Sequence, residues 1–142
     1  MNIEKVFVVG AGFMGSGIVE NAAAKGLKVT VYDIAQSQLD KSIASITKNL
    51  DKLVAKGKIS DHDKKATLDR ITTSTDISDC HEADAIIEAV AENKDIKVSI
   101  MKELDKYAKE DAVVASNTSS ISITSLGSVF KDPSRFVGMH FF

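Results

Sequence analysis

The sequence predicts an α/β fold, an open and mostly parallel sheet with helices on both faces. Two observations predict it. Short apolar runs of strand type alternate with stretches of helical periodicity along the chain, a β-α-β alternation that right-handed crossovers fold into a parallel sheet. The first run, Val6-Phe7-Val8-Val9, also leads straight into glycines at 10, 12 and 15 and then into a small-residue helix through Ala22, Ala23 and Ala24. A glycine-rich turn between a strand and a helix belongs to one kind of α/β architecture, in which ligands bind beyond the carboxyl ends of the strands.

Each element has its own justification. The first helix is expected from about Gly12 to Lys25, with Gly26 as its natural C-terminal cap. Lys28-Val29-Thr30-Val31-Tyr32 reads as the second strand and ends in Asp33. A long helix follows, because Leu39, Ile43, Ile46, Leu50 and Leu53 are spaced 4, 3, 4 and 3 and make one apolar stripe. Lys48, Lys52 and Lys56 step along another of its faces, and Gly57 ends it. Asp61 is placed to cap a short helix from His62 to Leu68, and Ile71–Ser74 reads as a third strand. Asp84–Val90 is a fourth strand; Asn93 opens a helix with Ile96, Ile100, Leu104 and Tyr107 on its inner side. Ala112–Ser116 is the short apolar run of a buried parallel strand, followed by the polar loop Asn117-Thr118-Ser119-Ser120. A short helix over Ile123–Phe130 and a sixth strand over Phe136–Met139, delivering His140, complete the chain. No repeat or low-complexity linker interrupts it, so residues 1–142 are expected to form one domain.

Composition narrows the class of protein. The chain is 44% hydrophobic and 27% charged, ordinary for a soluble globular domain, and its net charge of −2 offers no excess for nucleic acid. A single cysteine, Cys80, excludes an intrachain disulfide framework and fits a reducing compartment. No apolar run approaches the roughly 20 residues of a membrane span. The first strand begins almost at once, without room for a signal peptide. The expectation is a cytoplasmic protein with neither nucleic acid nor membrane as partner.

The glycine turn specifies a cofactor. Gly10 permits the tight turn out of the strand, Gly12 has no side chain to hold a pyrophosphate away from the backbone, and Gly15 lets the helix pack closely on the sheet. The free N–H groups and positive dipole end of the helix then face the phosphates, within the run Gly10, Ala11, Gly12, Phe13, Met14 and Gly15. Asp33 lies 23 residues after Gly10, where a carboxylate accepts hydrogen bonds from both hydroxyls of an adenosine ribose and repels a 2′-phosphate. The fold class is therefore Rossmann-type and the expected cofactor is NAD rather than NADP.

Gly10, Asp33, Glu92, Asn117, Ser119 and His140 all fall at or just after strand ends. The short polar side chains of Ser116–Ser120 read either as an ordinary capping turn or as the surroundings of a nicotinamide. His140, between Met139 and Phe141-Phe142, is either a satisfied core histidine or a general base, for which an imidazole pKa of about 6.5 is suited. His62 and His81 lie in polar segments, and the histidines and Cys80 show no metal-site spacing, so no metal is expected. The Lys48, Lys52, Lys56 stripe is either a solvated helix face or a site for the phosphates of an anionic substrate. Glu92 and Lys97 bracket a helix start, where helix-end electrostatics alone would account for them.

Gly10–Gly17, Ala91-Glu92-Asn93, Ser116–Ser120 and Gly138-Met139-His140-Phe141-Phe142 together resemble the 3-hydroxyacyl-CoA dehydrogenase family, over the whole chain. The last two motifs are far more specific than the glycines. The resemblance implies reversible oxidation of a (3S)-hydroxyacyl-CoA to the 3-oxoacyl-CoA with NAD. It implies His140 as the catalytic acid and base and Ser119 as the residue that binds the substrate oxygen against the nicotinamide. It further implies that Glu92 and Lys97 contact NAD and that Asn49 and Lys56 hold the CoA moiety. In the family a glutamate that orients the histidine, and a mainly helical domain that covers the cleft and forms a dimer, follow the Phe-Phe pair. Residues 1–142 are thus expected to be the NAD-binding part, poorly active alone and prone to self-association through exposed apolar surface. A non-catalytic dinucleotide-binding or scaffold module would use the glycines and Asp33 equally well.

Overall fold

The computed structural model describes residues 2–91, 93–117, 126–132, 134 and 136–139. Its strands are β1 (Lys5–Val9), β2 (Lys28–Tyr32), β3 (Ile71–Ser74), β4 (Ala85–Glu88), β5 (Val113–Asn117) and β6 (Phe136–Met139). Its helices are α1 (Phe13–Ala24), α2 (Gln36–Ala55), α3 (Asp61–Asp69) and α4 (Lys94–Tyr107), with a 3₁₀ segment at Ile77–Glu82. The six strands form one sheet in the order β3-β2-β1-β4-β5-β6, every neighbouring pair parallel. The order reverses at β1, which places the topological switch point, and the crevice that goes with it, between β1 and β4.

The period of two in β1 divides the core. Phe7 and Val9 point to one face, where Ile86, Met101, Leu104, Val114 and the 3₁₀ segment's Cys80 complete a buried cluster. Val6 and Val8 point to the other, against Ile18, Val19 and Ala23 of α1 and Leu39, Ile46 and Leu50 of α2. Burial on both faces explains the near-continuous apolar character of β1.

Helix ends follow local chemistry. At the C-terminus of α1, Gly26 takes φ +100° while its N–H donates to the Ala23 carbonyl and that of Leu27 to Ala22. At the end of α2, Gly57 takes φ +72° and the N–H of Lys58 donates to Leu53. The α3 cap is Ser60 rather than Asp61. Its hydroxyl accepts from the Asp63 N–H and the Asp63 carboxylate accepts from the Ser60 N–H, so the helix begins one residue earlier than expected. Asn93 caps α4 as expected, accepting from the Ile96 N–H at 3.1 Å.

The inner face of α4 is the main departure from the periodicity reading. Its buried residues are Lys97, Met101 and Leu104, whereas Ile96 is 51% exposed and Ile100 and Tyr107 are half-buried. A lysine at an interior position turns the helix by one residue relative to the apolar pattern, and what stabilises it there belongs to the site. In α2, likewise, Ser42 is buried and Ile43 only half-buried, because Ser42 meets Ser16 of α1 with their hydroxyls 2.6 Å apart. The 3₁₀ segment carries no strong periodicity and lies between the third and fourth strands, where the sequence pattern assigns no element. Of the helix expected over Ile123–Phe130, residues 123–125 lie outside the described residues, while Leu126 and Phe130 are buried in the α4-side cluster. No described helix is long and apolar enough to cross a membrane.

Candidate functional site

The site forms where β1 turns into α1. Gly10 leaves the strand at φ +109°, and a Cβ there would stand 2.9 Å from the Ala89 carbonyl oxygen, so only glycine fits beside the end of β4. A Cβ on Gly15 would lie 1.7 Å from the Gly10 carbonyl oxygen, which is how closely α1 seats against the turn. Gly12, by contrast, has nothing within 4 Å of its would-be Cβ. Two of the three glycines are required by the protein's own packing, and the third leaves an open approach to the backbone. Gly12 also lends α1 no side-chain cap, and the first turn of α1 holds no acid, so its N–H groups and positive dipole end face that opening. Ala11 is buried beneath the turn, Met14 is half-buried and Phe13 is 93% exposed at its rim.

Asp33, just past β2, is fixed from two sides. One carboxylate oxygen accepts from the Ala11 N–H at 3.1 Å and the other from the Ala35 N–H at 3.0 Å. Each oxygen keeps a lone pair for a further donor, as a vicinal diol requires. The carboxylate shares a recess of about 370 Å³ with Gly10, Tyr32, Ile34, Val90 and Ile96. Ile34 is 85% exposed there, and Phe7 stacks on Tyr32 beneath it. An apolar recess beside a carboxylate with free lone pairs has the chemistry an adenosine needs. Burial and the neighbouring Asp33 push the Tyr32 phenol above its ordinary pKa, so it stays neutral there. Residues and space therefore fit a dinucleotide.

A second groove, of about 410 Å³, runs from Gly12 and Phe13 between α1 and α2 past Lys41 and Ser45 to Asn49. The Asn49 amide donates to Glu20 of α1 at 3.3 Å. Lys56 is exposed at the C-terminal cap of α2, outside the groove lining.

The remaining expected site residues are distributed unevenly. Asn117 ends β5, half-buried at the carboxyl edge of the sheet. Lys97 is fully buried, with its ammonium 2.9 and 2.8 Å from the two carboxylate oxygens of Glu88. Glu92, Ser119 and His140 lie outside the described residues; β6, which precedes His140, pairs with β5 through Asn117↔Met139. Glu88 is the residue that the periodicity reading missed. Its signal was present, because a carboxylate in the apolar run Ala85-Ile86-Ile87-Glu88 of a two-sided sheet must find a buried cation.

A six-stranded parallel sheet with a glycine turn at its switch point and a carboxylate just past the second strand defines a Rossmann dinucleotide-binding domain. The chain belongs to the family described as 3-hydroxyacyl-CoA dehydrogenase, NAD binding domain, whose model matches residues 5–142. It is 44% identical over 138 residues to a 3-hydroxybutyryl-CoA dehydrogenase of Clostridioides difficile, covering 97% of this chain and 49% of that one. It is also 44% identical over 141 residues to a fatty acid oxidation complex subunit alpha of Psychrobacter cryohalolentis, covering 99% of this chain and 20% of the relative. The crystal structure of an (S)-3-hydroxybutyryl-CoA dehydrogenase from Ralstonia eutropha superposes with a TM-score of 0.97 at 45% identity, over 99% of this chain and 50% of that one. The chain thus spans half or less of the length of these relatives.

Proposed function

We propose that this chain is the cofactor-binding part of an NAD-dependent dehydrogenase that interconverts (3S)-3-hydroxybutyryl-CoA, or a related 3-hydroxyacyl-CoA, and acetoacetyl-CoA or the corresponding 3-oxoacyl-CoA. The observation that carries the reading is that two recesses flank one glycine turn, the Asp33 recess on one side and the α1–α2 groove on the other. The first suits an adenosine and the second an elongated substrate with an anionic handle, for which Lys41 and Asn49 offer donors within the groove and Lys56 a cation about two helix turns beyond it. NAD supplies the hydride acceptor. His140 takes the proton of the 3-hydroxyl in the oxidising direction and returns it to the carbonyl in the reducing one. Ser119 holds the substrate oxygen, and Asn117 lines the nicotinamide side. The relatives are at least twice as long, so this chain is expected to bind cofactor while turning over slowly, and dimerisation is expected to depend on a helical substrate domain beyond residues 1–142.

The test is a fluorescence titration of the chain with NADH, with Asp33→Ala beside it, followed by acetoacetyl-CoA. Loss of one to two hydrogen bonds to a charged acceptor predicts NADH binding weaker by about ten- to a hundredfold in Asp33→Ala. NADH oxidation by acetoacetyl-CoA is expected to be slow, and slower again in His140→Gln at unchanged NADH affinity. Unaltered affinity in Asp33→Ala sinks the cofactor assignment, and unaltered turnover in His140→Gln removes the histidine from the mechanism.

A further inference from the structure

Among the described residues, one charged pair is wholly withdrawn from solvent, Glu88 with Lys97. Its setting is costly twice over. Both charges give up their hydration, and Lys97 stands in the first turn of α4, where the helix dipole disfavours a cation. We infer that Glu88 and Ser116 are positioning residues that set the nicotinamide side of the cofactor site, by holding Lys97, which the family resemblance already places against NAD, and through the backbone of β4 and β5. The inference rests on the NAD reading and adds to it.

The described bonds of the cluster converge on the ends of two strands. The Glu88 carboxylate accepts from the Lys97 ammonium, from the Ser116 hydroxyl at 2.5 Å and from the Val90 N–H at 2.7 Å. The Lys97 ammonium also donates to the carbonyls of Val90 and Asn117, each at 3.3 Å. Glu88 and Ser116 are register partners, so the cluster spans β4, β5 and the start of α4 at their common edge. Asp33 at the end of β2 fixes the adenosine side, and the glycine turn after β1 fixes the pyrophosphate. The strand order then sends the other half of the dinucleotide over the ends of β4 and β5. Lys97, held by Glu88, also ties down the Asn117 and Val90 carbonyls at that edge. Mere cohesion would not call for charge here. Directly below, on the same face, Ile86, Val114 and Met101 pack as an apolar core, and a buried ion pair is often replaceable by apolar residues without loss of stability.

Titrations with NADH and with ADP-ribose separate the two roles, because ADP-ribose has the adenosine and pyrophosphate groups but no nicotinamide. Two variants are used: Ser116→Ala, which leaves the ion pair in place, and the double variant Glu88→Leu/Lys97→Met. Ser116→Ala is expected to weaken NADH about fivefold and the double variant about tenfold or more, with ADP-ribose changed by less than about twofold in each. The double variant is expected to melt no lower than the unsubstituted chain. Equal loss of both ligands, or undiminished NADH affinity in a folded variant, overturns the inference. If the double variant does not fold, Ser116→Ala decides alone by the same ratio. Failure of the unsubstituted chain to bind either ligand would instead fell the NAD reading, and this inference with it.

Discussion

The glycines of the turn occupy unlike surroundings, and substitutions separate their roles. Gly15→Ala forces a methyl against the Gly10 carbonyl oxygen and is expected to destabilise the fold by more than about 2 kcal/mol, visible as a lowered melting temperature. Gly12→Ala meets nothing within 4 Å and should leave the melting temperature unchanged or slightly raised, while its methyl stands in the cofactor's path and weakens NADH at least tenfold, roughly the loss of one well-made contact. A thermal melt and an NADH titration on the two variants check both halves. At this scale the sequence was highly legible where a backbone constraint permits one residue type. Gly10 and Gly15 do what their spacing says. Lys97 was not legible in that way. The family resemblance implies that it contacts NAD, but its partners Glu88 and Ser116 come from two strands, and only the register of β4 with β5 brings them to it.

At the scale of elements, strands were read almost residue by residue and helix faces were not. A strand's period of two survives a polar residue, whereas a helix face is defined by an average over several turns. One buried lysine or serine therefore shifts it, as Lys97 does in α4 and Ser42 in α2. The α3 cap makes the same point at an element's end, since Ser60, Asp61 and Asp63 all satisfy a simple capping rule and only the reciprocal pair settles the start. Ser60→Ala removes the hydroxyl side of that box and is expected to cost about 1 kcal/mol. For a domain of this size that lowers the melting temperature by about 3–5 °C, measurable by circular dichroism. Ser60→Asp should retain most of the stability.

For the whole molecule, the sheet edge opposite the cofactor carries its own fastening. Asp84 accepts from the N–H groups of Glu4 and Lys5 at 2.9 and 3.0 Å and from the Lys109 ammonium, joining the starts of β1 and β4 to the segment before β5. The Lys109 contact first, and then the two N–H groups, hold the Asp84 carboxyl well below the usual carboxylate range. A carboxyl depressed in the folded state contributes its stability above the unfolded pKa of about 3.9 and loses it as the pH falls toward the folded value. Asp84→Asn should thus melt below the unsubstituted chain at pH 7, and the gap should narrow progressively as the pH drops below about 4. A gap that stays constant across that range would exclude the linkage.

The pairing of β1 with β4 also has a consequence for how the protein is made. β1 is the central strand, and residues 6–9 find their second neighbour only at residues 85–88. A growing chain that has emerged as far as β3 holds β1 on one flank by β2 and leaves the other flank bare, with apolar side chains on both of its faces. Such an edge is a template for pairing with another chain. The Ala89 N–H that closes onto Val9, and the Ala89 carbonyl that presses on Gly10, arrive later still. The cradle's glycines are translated well before β4, yet its shape is completed only when the chain has grown almost eighty residues further.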